Sequence, residues 1–491
     1  MSEKSSAISH TVDAPRNSTP AVSQRADALD ALRGFAVLAM VLSGTIAREI
    51  LPAWMYHAQL PPPTHNFNPK LPGLTWVDLV FPLFLFAMGA AIPLALSRRI
   101  AKGWDLKKII LSILQRGFLL GAFAIFLQHI RPTTINPNEA DPEKWWLALK
   151  GFVLLFLMFV RWPSSRFRWL QRLVTIGAWT AGFLFVTHIT YPDGKGFSLE
   201  RSDIILIVLT NMAVFGSLIW LFTRNNWWLR LGFLALLLAI RLSSSQADSW
   251  IKPLWVTSPI PWIFQWDYLK YLFITIPGTI TGDLIDYWLE ARVDRDSSSR
   301  WHPLRFLAIM IWILTIICGV LIGLQGRWVW QTTVLVIVLG LAGWFLLAAP
   351  GNATEKLLNR LYQWGFYWLV LGLLFEPYEG GIKKDPATMS YFFVTTGLSI
   401  LLLIELTVFI DIFKQKIWVQ LFIDNGINPM IGYVGFANII WPILVLNEWE
   451  PVIIEMTSTE PLKGFLRGVS YTFVLACIVS LFTRLKLFLR T

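Results

Sequence analysis

From residue 29 nearly to its end, this chain repeats apolar runs of roughly 18 to 25 residues, each long enough to cross a hydrocarbon core of about 30 Å as a helix. The runs lie near 29–51, 75–96, 107–128, 146–161, 170–188, 203–222, 227–241, 268–289, 303–324, 329–349, 358–375, 390–412, 427–446 and 464–486. The fourth, seventh and thirteenth are short or interrupted and are candidates for re-entrant segments. The expectation is an all-α polytopic transmembrane bundle of about 11 to 14 spans. Composition agrees: 55% of the 491 residues are hydrophobic and only 15% are charged, where a soluble domain needs about a quarter. Mean hydropathy is +0.55. Many of the 26 tryptophans flank apolar runs, as interfacial belts require.

The net charge of +11 does not point to nucleic acid, because of where the charges fall. Basic residues gather in short clusters between spans: "SRRIAKGWDLKK", "RWPSSRFRWLQR", "TRNNWWLR", "ARVDRDSSSRWHPLR" and "TRLKLFLRT". The alternate loops carry acids and prolines, as in "PTTINPNEADPEKWW" and "EPYEGGIKKDPATMS". Under the positive-inside rule this alternation makes both termini cytoplasmic. Residues 1–24, rich in Ser, Ala, Thr and Pro, read as a disordered tail, and 25–491 as one integral-membrane domain. The first run is too long for a signal-peptide core and reads as a retained span. Cys318 and Cys477 lie inside apolar runs, which argues against a disulfide framework or a thiolate metal site. No P-loop, G-x-G-x-x-G or H-E-x-x-H motif occurs, and no metal is expected.

Ionisable residues within spans cost several kcal/mol unless paired or facing water, roughly 2.5 to 3.5 on insertion scales. Arg116 and Glu405 lie near the middles of their runs. Asp283 and Asp286 follow "IPGTITG", while Asp30 with Arg33 opens the first run and Asp78 the second. They can pair structurally, Asp30 can cap its helix, or Arg116, Asp283 and Glu405 can line a polar path. The last option would make the protein a transporter or flippase for a sugar or lipid-linked glycan. Of six histidines, His10 falls in the tail and His302 on the cytoplasmic side. The other four fall on the outer face: His57 and His65 in the first outer loop, His129 and His188 at span ends.

"LDALRGFAVLAMV" followed by "GLTWVDLVFPLFLFAMGAAIPLAL" resembles the opening of the heparan-alpha-glucosaminide N-acetyltransferase family and its bacterial relatives. The matching residues are Asp30, Arg33, Gly34 and Phe35, then Gly73, Thr75, Asp78, Leu79, Phe81, Pro82, Phe84 and Gly89. "ILQRGFLLGAF", "ITIPGTITGDL", "GGIKKDPATMSYFFVTTGLS" and "NGINPMIGYV" follow in the family's order. The resemblance implies transfer of an acetyl group from cytoplasmic acetyl-CoA to an extracytoplasmic amino sugar or glycan, with no permanently bound cofactor. It also implies a catalytic histidine in the loop before the Asp78 segment. The chain departs from the pattern there, with a Pro-rich stretch and no Trp immediately before Gly73. Of the two candidates, His65 is nearer Gly73 and is preferred over His57. Neutral imidazole suits the base that removes the acceptor's proton, and Asp78 is the expected orienting carboxylate. Donor binding is assigned to Arg33, Arg116 and Asp30, with the lysines and arginines after the second span offering further cations for phosphate. The expected setting is a bacterial inner membrane, with lipid as a partner and a homodimer left open.

Overall fold

The computed structural model describes residues 25–138, 141–162, 168–293 and 299–490. The disordered-tail expectation, with His10, lies outside them. The described chain is about 75% helical. A helix occupies each of the fourteen predicted runs. They are α1 (Asp27–Thr45), α2 (Trp76–Ala101), α3 (Leu106–His129), α4 (Pro142–Phe159), α5 (Arg168–His188), α6 (Ile204–Thr223) and α7 (Trp227–Ser244). Then come α8 (Leu272–Val293), α9 (Pro303–Gln325), α10 (Val329–Leu346), α11 (Ala353–Phe375) and α12 (Met389–Thr407). α13 (Gln420–Ile427) precedes the thirteenth run, which is broken into α14 (Pro429–Gly435), a π-helical turn and α15 (Trp441–Leu446), before α16 (Pro461–Arg484). Among the described residues, 11 of the helical segments are long and apolar enough to cross a membrane. The protein is a multi-pass integral membrane protein. The fourth and seventh runs, suspected of being re-entrant, each form an 18-residue helix, and the seventh but not the fourth is among those 11.

Burial separates an inner set of helices from an outer one. In the spans of α12 and α2, 78% and 72% of the apolar window is packed inside the protein, against 17% for α5 and 22% for α7 and α10. The outer helices turn Leu, Ile, Val and Phe outward, as at Leu314, Val338 and Phe345. That suits a solvent as apolar as the side chains themselves. Exposed tryptophans mark helix starts, among them Trp169, Trp228 and Trp328.

The inner helices approach closely because small residues meet backbone. A Cβ on Gly34 would lie 1.8 Å from the Phe422 carbonyl oxygen, and one on Gly426 only 1.7 Å from that of Asp30, so α1 and α13 touch main chain to main chain. The α2–α8 seam is built alike: a Cβ on Gly89 would meet the Thr275 carbonyl at 2.4 Å, and one on Gly282 that of Ala90 at 2.3 Å.

Both described ends of the chain lie on one face of the bundle, called here the terminal face. Lys416 pairs with Asp27 at 2.6 Å, and the short strands β1 (Val160–Arg161) and β2 (Phe488–Leu489) pair antiparallel. At the opposite face two loops interlock, one from residues 46–75 and one from residues 376–388. Gly73 N–H donates to the Ile382 carbonyl at 2.9 Å. The Gln59 side chain accepts from Asp385 N–H at 2.9 Å and donates back to the Asp385 carbonyl.

Candidate active site

The interlocked loops bring three chemically active side chains together at the start of α2. Asp78 sits in the first turn, 2% exposed, and its Oδ2 accepts from Thr75 N–H at 3.0 Å and from Ala58 N–H at 3.1 Å, while the Thr75 hydroxyl beside it donates to the Tyr56 carbonyl at 2.8 Å. Free N–H groups and the helix dipole favour an anion at this position. The remaining oxygen, Oδ1, lies 2.8 Å from His57 Nδ1. A carboxylate already receiving two backbone donors is an acceptor, so the proton belongs on Nδ1 and the lone pair on Nε2. His57 is half-buried, whereas Asp78 is enclosed.

Lys384 reaches the same ring from the second loop. Its Nζ lies 3.3 Å from Nδ1 and 3.5 Å from Nε2 of His57, against the imidazole. Burial pushes its ammonium below the usual lysine range, and the carboxylates of Asp78 and Asp385 partly restore it. From α12, the buried Tyr391 donates its hydroxyl to the Asp78 carbonyl oxygen at 2.8 Å, locking the first turn of α2. Tyr271 packs edge-on between Phe81 and Phe392 close by. A base held by a buried carboxylate, beside a cation, is equipped for proton removal with charge stabilisation.

The pairing of Asp78 with His65 expected from sequence proximity is corrected: His57 makes it. His65 sits at φ 48° at the end of a turn closed by its N–H on the Pro61 carbonyl, and so faces the other way. Its Nε2 accepts from Glu49 N–H at 3.2 Å, and its ring meets Tyr56 edge-on at 4.5 Å. His129 is fully buried, with Nδ1 on the Ile125 carbonyl and Nε2 accepting from Ser198 N–H, so both nitrogens are occupied. His188 is exposed at the end of α5, its Nδ1 on the Leu184 carbonyl.

Of the residues assigned to the donor, Arg33 and Asp30 pair with each other at the start of α1. Arg33 gives its guanidinium to the Gly426 carbonyl at 3.0 Å and to Asp30 at 3.3 Å, which makes it a strut of the α1–α13 seam. Asp30 lies in the first turn of α1 and binds Arg25 and Arg33 rather than capping the helix, where Ala26 stands. Arg116, on α3, makes no ion pair among the described residues and lies within electrostatic reach of Arg33 and Arg99. Asp283 is bound by Arg230 at 2.7 Å, while Glu405 leaves one carboxyl oxygen buried without a partner. Among the described residues no group of three or more His, Cys, Asp or Glu could hold a metal.

Sequence reasoning missed Lys384, Tyr391 and Gln59. The only signal available for Lys384 was its segment "GGIKKDPATMS", noted for resemblance and given no role. Among curated proteins none matches the chain. Residues 25–285, more than half of the chain and including His57 and Asp78, match a family described as a domain of unknown function (DUF5009), and the chain belongs to that family.

Proposed function

We propose that the protein is a membrane acyltransferase that moves an acetyl group from cytoplasmic acetyl-CoA to an amino sugar or glycan hydroxyl on the other side of the membrane. The observation that carries the reading is the Asp78–His57 pair with Lys384 against it, enclosed under two interlocked loops. The acceptor's nitrogen or oxygen attacks the thioester carbonyl carbon while its proton passes to His57 Nε2. Asp78 stabilises the imidazolium that results. The tetrahedral oxyanion forms beside the Lys384 ammonium. Collapse breaks the C–S bond, and the departing thiolate takes the proton back from Nε2. Acetylated acceptor and CoA leave, and the residues return to their starting state.

The orientation belongs to the same proposal: the terminal face is cytoplasmic, the membrane is a bacterial inner membrane, and the dyad faces out. In a cysteine-free background, cysteine at Ser97 resists an impermeant thiol reagent in intact cells and cysteine at Thr64 labels; the reverse pattern refutes the orientation. The transfer itself is tested by offering purified protein acetyl-CoA and glucosamine-type acceptors and following thiol release. Acceptor-dependent release is expected, and none above background refutes the reading. The transporter alternative would instead rest on Glu405, whose carboxyl oxygen is buried without a partner, and uptake without thiol release would favour it.

A further inference from the structure

On the terminal face, the ends of α2, α6 and α7 with α8 and α11 leave an open cleft of about 830 Å³. Its walls include Trp220, Trp227 and Trp364, and Trp227 meets Trp364 edge to face at 5.7 Å. Two arginines line it, Arg224 after α6 and Arg360 on α11. The cleft also holds one carboxylate, Asp283, but that charge is already answered. The fully buried Arg230 binds it at 2.7 Å, and Trp220 Nε1 donates to it at 2.8 Å. Arg224 and Arg360 have no carboxylate partner among the described residues; Arg360 only rests over the Tyr287 ring, 6.0 Å from its centroid. The cleft therefore carries two uncompensated guanidinium groups beside indole walls. Positive-inside topology accounts for arginines on this face, but not for their meeting in an aromatic cleft.

We propose that this cleft is a binding site for a phosphate ester carried on an aromatic or apolar body. The guanidinium forks of Arg224 and Arg360 take the phosphate oxygens, and the tryptophans pack against the body beside them. Two sources present this chemistry: a nucleotide phosphate from the aqueous side, as in coenzyme A, or the headgroup of an anionic phospholipid, because α7 beside the cleft turns Trp228, Leu229 and Leu236 outward. The site is separate from the His57–Asp78 pair. Asp78 and Ser97, which lines the cleft, stand ~28 Å apart along α2, and the glycine-sealed α2–α8 seam lies between them. The inference does not depend on acyl transfer.

The test uses the full chain in neutral phosphatidylcholine nanodiscs, with coenzyme A titrated in one arm and phosphatidylglycerol mixed into the disc in the other. Tryptophan fluorescence and calorimetry read binding, and circular dichroism with gel filtration checks folding. At least one probe binds, in a salt-dependent manner, and the double variant Arg224→Gln/Arg360→Gln weakens it by about 10-fold or more, while Lys486→Gln on the same face leaves it unchanged. Binding of coenzyme A alone identifies a nucleotide site; binding of phosphatidylglycerol alone identifies a lipid site. Failure of both probes, or a folded double variant that retains wild-type affinity, overturns the proposal. In the latter case, acetyl-CoA turnover that still depends on His57 leaves the acyl-transfer reading intact.

Discussion

Gly426→Ala measures how far the α1–α13 seam supports the fold. The new methyl would sit 1.7 Å from the Asp30 carbonyl oxygen and 3.0 Å from Gly34 N, both backbone atoms that no rotamer change can move. An ordinary carbon–oxygen contact is about 3.4 Å, so the helices must separate by well over 1 Å locally. That separation also pulls the Gly426 carbonyl from Arg33, now 3.0 Å away. Overpacking costs roughly 1 to 3 kcal/mol, and a hydrogen bond to a charged donor contributes roughly 1.5 to 3 kcal/mol. The two overlap, and about 3 kcal/mol is expected. Gly232→Ala in α7 is the control, since a Cβ there meets nothing within 4 Å. It should be neutral or stabilise by up to about 1 kcal/mol through helix propensity. Unfolding by SDS titration from mixed micelles, read by tryptophan fluorescence, should separate the pair by about 3 kcal/mol. If Gly426→Ala unfolds within 0.5 kcal/mol of Gly232→Ala (about the ordinary scatter of an unstrained substitution), the close-approach argument is wrong.

The buried pair makes an asymmetric prediction: Asp283→Leu strands the fully buried Arg230 guanidinium and should cost about 3 to 5 kcal/mol, whereas Arg230→Met strands a carboxylate that opens on the cleft and should cost less. The same SDS titration ranks them, and the reverse order contradicts the assignment of burial. Burial holds the Lys384 ammonium below its ordinary value, so the unfolded chain binds that proton more tightly. Stability should therefore rise with pH through the interval between the folded and unfolded lysine values. Lys384→Met should lack this gain, seen by comparing thermal unfolding at about pH 7.5 and about pH 10. Equal pH responses for variant and wild type refute it.

The spans were legible in the sequence because a run of apolar residues sets helix length and environment without reference to distant chain. Asp78 was legible for a local reason too: an acid in the first turn of an apolar helix is tolerated there and otherwise unexplained. Its partner was not legible. The choice between His57 and His65 depends on how residues 46–75 fold back, and that is fixed by Gln59–Asp385 and Gly73–Ile382 contacts across more than three hundred residues. Nearness in sequence to Gly73 favoured His65, but its left-handed backbone turns the ring toward Glu49. Arg33 was recognisable as special, yet the partner that occupies it is a carbonyl of Gly426, invisible to any side-chain pattern. The cluster "TRNNWWLR" was read as a cytoplasmic loop, although its last residue, Arg230, is fully buried within α7. Net charge by segment cannot tell a topological arginine from one that holds two helices together.

The most direct measurement is acetyl-CoA-dependent turnover of His57→Ala and His65→Ala, in parallel, in folded protein with a glucosamine-type acceptor. His57 holds the orienting carboxylate at 2.8 Å through Nδ1 and keeps Nε2 for the acceptor's proton, so its loss should cut turnover by about 10²- to 10⁴-fold. His65→Ala should stay close to wild type, and Asp78→Asn should fall between the two. Near-normal turnover in His57→Ala, or a collapse confined to His65→Ala, would contradict the assignment of the base to the Asp78 pair.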